Sequence, residues 1–273
     1  MSVELGQLTA AFEKLWPLSG AEDWDAPGLV VGDPNQSVNR ILLSVDVTSQ
    51  VLDEAIDGGF DLVISHHPYL MRGVTSLAEN TLKGAVVARA IRHGIALFAA
   101  HTNADIVHGG VSDTLAAAIG LVDVMPLQPV SEAATIGHGR VGNLPAPMSL
   151  AAFAEAVGTV LPATASGLRV AGSRVQQIKR VAVLGGAGDS FLAAAAASGA
   201  DVYVTSDLRH HPAQDALESA GAAGRAFALI DVPHWAAESL WLRVAEQQLA
   251  GIFEDAQIVV SGLCTDPWDF VVN

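Results

Sequence analysis

The sequence predicts an α/β protein: two similar α/β lobes, each a largely parallel mixed sheet covered by helices, related by an internal duplication. Three observations predict it. Short apolar runs rich in β-branched or small residues alternate with stretches of helical period, the pattern of parallel strands joined by crossover helices. The same order recurs about 140 positions later without a gap, so that Arg40 aligns with Arg180, Asp61 with Asp201 and Ser65 with Thr205. Finally, histidines and carboxylates stand directly after three of the apolar runs, at the strand ends where open α/β sheets keep their sites.

Taken in order, NRILLSVDVT (Asn39–Thr48) reads as a strand, SQVLDEAIDGG as a helix ending at Gly58–Gly59, and FDLVIS as the next strand. KRVAVLGGAG (Lys179–Gly188), DSFLAAAAASGA and DVYVTSDLRHH (Asp201–His211) repeat that order as strand, helix and strand with a polar tail. RHGIALFAAHTNAD resembles AGRAFALIDVPHWAAE, with Gly94 opposite Gly224, and adds a helix end and a third strand to each unit. Between the units, the Pro- and Gly-rich stretch Val122–Leu150 reads as a connection, with GHGRVGNL inside it as an edge strand. MSLAAFAEAVGTVL (Met148–Leu161) is a helix N-capped by Ser149. DAQIVVS closes the chain as one more strand, and the termini return to the first lobe. The expected division is therefore residues 1–125 with 235–273 as the first lobe, carrying most site residues, and 126–234 as the second, with a site in the cleft between them.

Composition narrows the function classes. The 273 residues are 51% hydrophobic and 16% charged, enough for a substantial core. No apolar run approaches the roughly 18 residues a membrane span needs, and the start MSVELGQLTAAFEKL lacks the basic and apolar segments of a signal peptide. The single cysteine, Cys264, permits no intrachain disulfide, which fits a reducing, cytoplasmic setting. The net charge of −15 repels phosphate backbones and argues against nucleic acid as a partner, while concentrating divalent cations. The lysines, Lys14, Lys83 and Lys179, are scattered.

The chemistry sits in LVISHHP, AHTNAD and DVPHWAAE. His66 and His67 are adjacent, and neighbours on a regular strand face opposite ways, so the two converge only where the chain leaves the sheet. His101 with Asp105, and His234 with Glu238, have the i,i+4 spacing that places both side chains on one helical face. Nitrogen and carboxylate donors of this kind suit zinc, iron or manganese. Six candidates over-supply one tetrahedral ion and suit two divalent ions per chain.

Other polar residues admit two readings. Asp207, His210 and His211 either line a pocket near the metals, as substrate contacts or proton-transfer groups, or form a solvated helix start. Asp46 and Asp231 either orient ligand histidines or cap turns. Trp24 and Asp25 read as packing residues, and His93, His108 and His138 have no partner pattern. Gly185–Gly188 (GGAG) has the setting of a phosphate-cradling turn without the full GxGxxG or Walker spacing.

The segments WDAPGLVVG, SVDVT, DLVISHHP, HTNAD, TSDLRHH and DVPHWAAE, in this order over nearly the whole chain, resemble the NIF-three-like (YbgI-type) family of dinuclear metal-centre proteins, whose members carry the name GTP cyclohydrolase type 2 homolog. The resemblance implies that His66, His67, His101, Asp105, His234 and Glu238 hold the metals, with Glu238 as the bridging carboxylate. It implies a metal-dependent hydrolase acting on a small anionic substrate: a purine nucleotide such as GTP, attacked at C8 with release of formate, or a phosphoester. His210 or His211 would move protons, and Arg72 and Arg209 are the cations available to meet the anion. It further implies a homo-oligomer, a hexamer forming a hollow ring. The alternative is a non-catalytic metal-binding or scaffold protein in such a ring. Two departures stand out: the family's Gly before the last histidine is Pro233 here, which fixes φ, and the WD segment reads WDAPGL in place of the commoner form with Asn and Val.

Overall fold

The computed structural model describes residues 3–254 and 256–272. Met1, Ser2, Asp255 at the head of the expected last strand, and Asn273 lie outside the described residues. The fold is mixed α/β, and the chain divides into two compact units: Met1–Ala104 with Leu242–Thr265, and Asp105–Trp241 with Asp266–Asn273.

The first unit is built on a five-stranded sheet in the order Gln257–Val260, Arg40–Ser44, Leu62–Ser65, Ala96–Ala99, Gly28–Val31. The first three pairings are parallel, and only the edge strand Gly28–Val31 is antiparallel. Leu62–Ser65 and Ala96–Ala99 are buried at every position, as strands covered on both faces must be. The helix Ser49–Asp57 begins where the Thr48 hydroxyl accepts the Val51 N–H at 3.1 Å, and Leu82–Arg92 begins where Thr81 accepts the Gly84 N–H at 3.1 Å. Both lay Val and Ala side chains (Val51, Ala55, Val86, Ala90) on Leu42, Val63 and Leu97 of the sheet.

The second unit carries a six-stranded sheet in the order Val122–Pro129, Gly137–Ser149, Gln177–Ala187, Val202–Ser206, Ala228–Asp231, Arg169–Ala171. Only the two central pairings, Gln177–Ala187 with Val202–Ser206 and the latter with Ala228–Asp231, are parallel. The stretch read as a connection is therefore sheet: Val122–Pro129 is the edge strand, and Gly137–Ser149, which contains GHGRVGNL, is interior. Its glycines are there because neighbouring backbone comes close: a Cβ at Gly137 would meet the Gln128 carbonyl oxygen at 2.2 Å, and one at Gly142 the Val122 carbonyl oxygen at 2.9 Å. The helix Leu150–Val160 starts at Ser149, whose Oγ accepts the Ala152 N–H at 3.2 Å, as the sequence predicts. DSFLAAAAASGA is shorter than read, a 3-10 turn Asp189–Phe191 followed by a helix Leu192–Ala197.

Candidate metal centre

Three strand ends deliver the candidate ligands. The strand Leu62–Ser65 stops before His66, yet His66 N–H donates to Ser44 O (3.0 Å) and His67 N–H to Val45 O (2.9 Å). In a regular parallel pair only alternate N–H groups bond one neighbour, so two in succession mark the point where the strand loses its alternation. The two rings then lie side by side, centroids 5.0 Å apart, instead of on opposite faces. His101 follows the neighbouring strand Ala96–Ala99, and its ring centroid is 5.1 Å from that of His66 and 5.4 Å from that of His67. One ligand nitrogen from each of the three lies within 4.8 Å of the others.

Each histidine is held by its Nδ1. His66 Nδ1–H donates to Ala100 O (2.9 Å), His67 Nδ1–H to Asp46 Oδ1 (2.7 Å), and His101 Nδ1–H to Asp25 Oδ1 (2.7 Å). A carbonyl or carboxylate only accepts, so the proton sits on Nδ1 and each ring presents a lone pair at Nε2. Metal-ligating histidines are oriented in this way.

The second unit repeats the device. His234 opens the helix His234–Ala250, its Nδ1–H donates to Asp207 Oδ2 at 2.7 Å, and its Nε2 lies 2.8 Å from Glu238 Oε1, one helical turn on. The Glu238 side chain is 3% exposed, a buried carboxylate of the sort that pairs or ligates. Asp207 adopts φ 56°, a left-handed backbone uncommon outside glycine, and that conformation ends the strand Val202–Ser206. The hydrogen bond from His234 lowers its carboxyl below the ordinary range. Gly185 and Gly186 sit in a bulge of Gln177–Ala187, where the register shifts between Val183 and Ala187. A Cβ on Gly186, which has φ +84°, would stand 2.7 Å from Glu238 Oε1 and 3.6 Å from His234 Nε2. GGAG is thus the backbone that leaves room for this His–Glu pair. Imidazole nitrogens with a buried carboxylate, the rings turned by oxygen acceptors, fit a divalent transition metal.

Asp105 ends the single helical turn Thr102–Asp105. His210 and His211 are the first residues of the helix His210–Ala222, both exposed, ring centroids 5.0 Å apart. Asp231 caps: its Oδ1 accepts the Leu208 N–H at 3.2 Å and its Oδ2 pairs with Arg169. Arg209 is engaged by Asp189.

Sequence reasoning missed Asp25, Thr102 and Asn103. The Asp25 side chain is 0% exposed and takes, besides His101, the Thr102 N–H (3.1 Å) and hydroxyl (2.5 Å). Burial pushes this carboxyl up, but the hydrogen bonds from His101 and Thr102 outweigh it and bring it to about 2. Asn103 fastens the backbone, accepting the His101 N–H (3.0 Å) and donating to Trp16 O (2.7 Å). Trp24, read as a packing residue, is 59% exposed, with its ring edge-on to His101 at 5.8 Å. The separation of 76 positions between Asp25 and His101 hid the pairing; the signal in the sequence was WD heading a motif.

The family profile of Duf34/NIF3 (NGG1p interacting factor 3) matches residues 3–267. The chain belongs to this family. A Streptomyces coelicolor protein named GTP cyclohydrolase 1 type 2 homolog is 43% identical over 270 residues, covering 97% of this chain and 93% of the relative. A Mycobacterium tuberculosis protein of the same name is 32% identical over 376 residues, covering 98% of this chain and 97% of the relative, which carries additional residues. Among solved structures, a Bacillus cereus protein related to NIF3 superposes with TM-score 0.90 at 26% identity, covering 98% of this chain and 99% of the other. Staphylococcus aureus SA1388 gives TM-score 0.89 at 28% identity with the same coverage. The resemblance read from the motifs and the α/β fold are both borne out.

Proposed function

We propose that this NIF3-family chain is a dinuclear-metal-dependent hydrolase of small anionic substrates, GTP cyclohydrolase type 2-like or acting on a phosphoester. The observation that carries the reading is the common setting of four histidines, His66, His67, His101 and His234, each tied through Nδ1 to an oxygen acceptor, with the Nε2 of His234 turned to the buried Glu238 carboxylate. With Asp105 and Glu238 they would hold two divalent ions of iron, zinc or manganese. Bound there, such ions lower the pKa of water toward neutrality and polarise a substrate oxygen. The chain's own residues do the rest. Asp25, Asp46 and Asp207 keep the ring tautomers fixed, the buried Glu238 supplies negative charge, and His210 or His211 carries protons at the exposed start of its helix. The names of the relatives favour GTP as the substrate class.

The test is elemental analysis and turnover on protein purified without tag or chelator. About two ions per chain, lost in part from folded His66→Ala and Glu238→Ala, with GTP or a phosphoester consumed, supports the reading. Unchanged metal content in either variant removes the ligand assignment; bound metal without turnover leaves the metal-binding or scaffold reading. We also propose a cytoplasmic homo-oligomer, a hexamer as the family resemblance implies; light scattering that finds only the 28.2 kDa monomer contradicts it.

A further inference from the structure

Beyond the last strand of the first unit the chain runs on as an extended strap. Its residues alternate in exposure, Ser261, Leu263 and Thr265 partly buried and Gly262 and Cys264 exposed, the two-residue period of an extended chain lying on a surface. Each inward residue has a defined contact. Ser261 N–H donates to Leu43 O (2.8 Å) and its hydroxyl to Glu54 Oε2 (2.6 Å). Leu263 packs on the apolar cluster that contains Val47 and Val51. The Thr265 hydroxyl donates to Asp46 Oδ2, the carboxylate whose other oxygen, Oδ1, accepts the His67 Nδ1–H. Asp46 is further pinned through its backbone, where its carbonyl accepts the Ser44 hydroxyl at 2.8 Å.

We propose that Thr265 is a positioning residue of the metal centre, acting on His67 through Asp46. A carboxylate oriented by one hydrogen bond alone can rotate about its terminal torsion, which is soft. With the ring on Oδ1 and the Thr265 hydroxyl on Oδ2, the carboxylate plane is set and the His67 ring with it. The contact joins residues 219 positions apart, so the last few residues of the first unit are part of the site, although nothing in their sequence resembles a ligand motif. The inference rests on the metal-binding reading above and extends it to a residue that touches no ion.

The experiment compares wild type with Thr265→Val, Thr265→Ser and Ser261→Ala, each loaded with cobalt(II). The readouts are the visible absorption of the bound ion, its rate of transfer to a chelator, and the thermal midpoint. Thr265→Val is isosteric, so the fold is kept; it should release metal faster by up to about tenfold, the low end for orienting groups around a metal site, with an altered spectrum. Thr265→Ser restores the hydroxyl and should return both to wild-type values. Ser261→Ala loosens the same strap at Glu54 without touching Asp46, and should lower the midpoint without changing the spectrum. Equal release and spectra for Thr265→Val and wild type overturn the proposal, as does an equal effect of Ser261→Ala and Thr265→Val. Wild type that takes up no cobalt overturns the metal-binding reading itself, and this inference with it.

Discussion

The two repeats share their scaffold down to single hydrogen bonds and part company only where the strands end. Ile41 lies opposite Leu62 in the first, Val181 opposite Val202 in the second. Asp61 Oδ2 accepts the N–H groups of Asn39 and Arg40 at 2.7 and 3.0 Å; Asp201 Oδ2 accepts those of Lys179 and Arg180, both at 2.8 Å. Gln36 Nε2 donates to Asp61 O and Gln176 Nε2 to Asp201 O, at 3.2 and 3.1 Å. At the opposite ends of these strands the first repeat presents His66 and His67, and the second presents Ser206 and Asp207, where Asp207 steers a histidine from another element. The first repeat keeps its Arg40–Ser44 register; the second breaks it with the Gly185–Gly186 bulge that makes room beside Glu238. A duplicated frame thus ends differently in its two copies: the first carries the adjacent rings of His66 and His67, the second a single ring, His234, held by Asp207 beside the buried Glu238.

The sharpest test of that asymmetry pairs Asp25 with Asp207. Both hold a histidine, so Asp25→Ala and Asp207→Ala should each weaken metal binding about 10–100-fold. Their stabilities should differ. The Asp25 side chain is fully buried with four donors aimed at it, His101 Nδ1, the Thr102 N–H and hydroxyl and the Ala26 N–H, and removing it strands them at a cost of about 3 kcal/mol. Asp207, 59% exposed, should cost under about 1 kcal/mol because water replaces the lost partner. Equal chemical-denaturation midpoints for the two variants would break the comparison.

Gly186→Ala comes next. Its Cβ would press on Glu238 at a backbone angle L residues rarely adopt, for a cost of about 1–3 kcal/mol and a loss of metal retention. Ala at the exposed Gly94, also at positive φ but with open space around it, controls for backbone strain alone and should keep its metal.

Acid titration of the metal-free protein reads the Asp25 network by itself. Its folded carboxyl at about 2 lies below the ordinary 3.8, so the unfolded chain binds the proton first. The network therefore contributes about 2 kcal/mol in full above pH ~4, and this is lost as pH falls toward 2. Asp25→Asn should flatten the stability profile in that window; an unchanged slope would contradict the assignment.

The smallest effect concerns what the repeats share. Asp61→Ala and Asp201→Ala should each cost about 1 kcal/mol, matched within about 0.5 kcal/mol, because they remove the same pair of bonds. A large inequality would mean that the strand starts are alike in geometry only.

Much of this was legible in the chain. The strand–helix–strand order, the gapless repeat and the Ser149 cap follow from local period and hydrogen-bonding chemistry, and His66, His67 and His101 were visible because strand ends cluster in space. Asp46 as a holder was also open to the sequence. What stayed hidden was long-range or came from backbone geometry: Asp25 reaching His101, Thr265 reaching Asp46, and Asp207 turned by its positive φ. Glycines misled in both directions. Gly137 and Gly142, read as part of an edge strand, mark close contacts of an interior one, and GGAG, with the setting of a phosphate turn, is a bulge against Glu238.

The most direct test of the central claim is the metal content of untagged protein beside His66→Ala and His234→Ala, one variant from each unit. The account predicts about two ions per wild-type chain and a deficit in both variants, with all three proteins folded. Wild type that holds no metal after incubation with iron, zinc or manganese, or variants that hold as much as wild type, would contradict it.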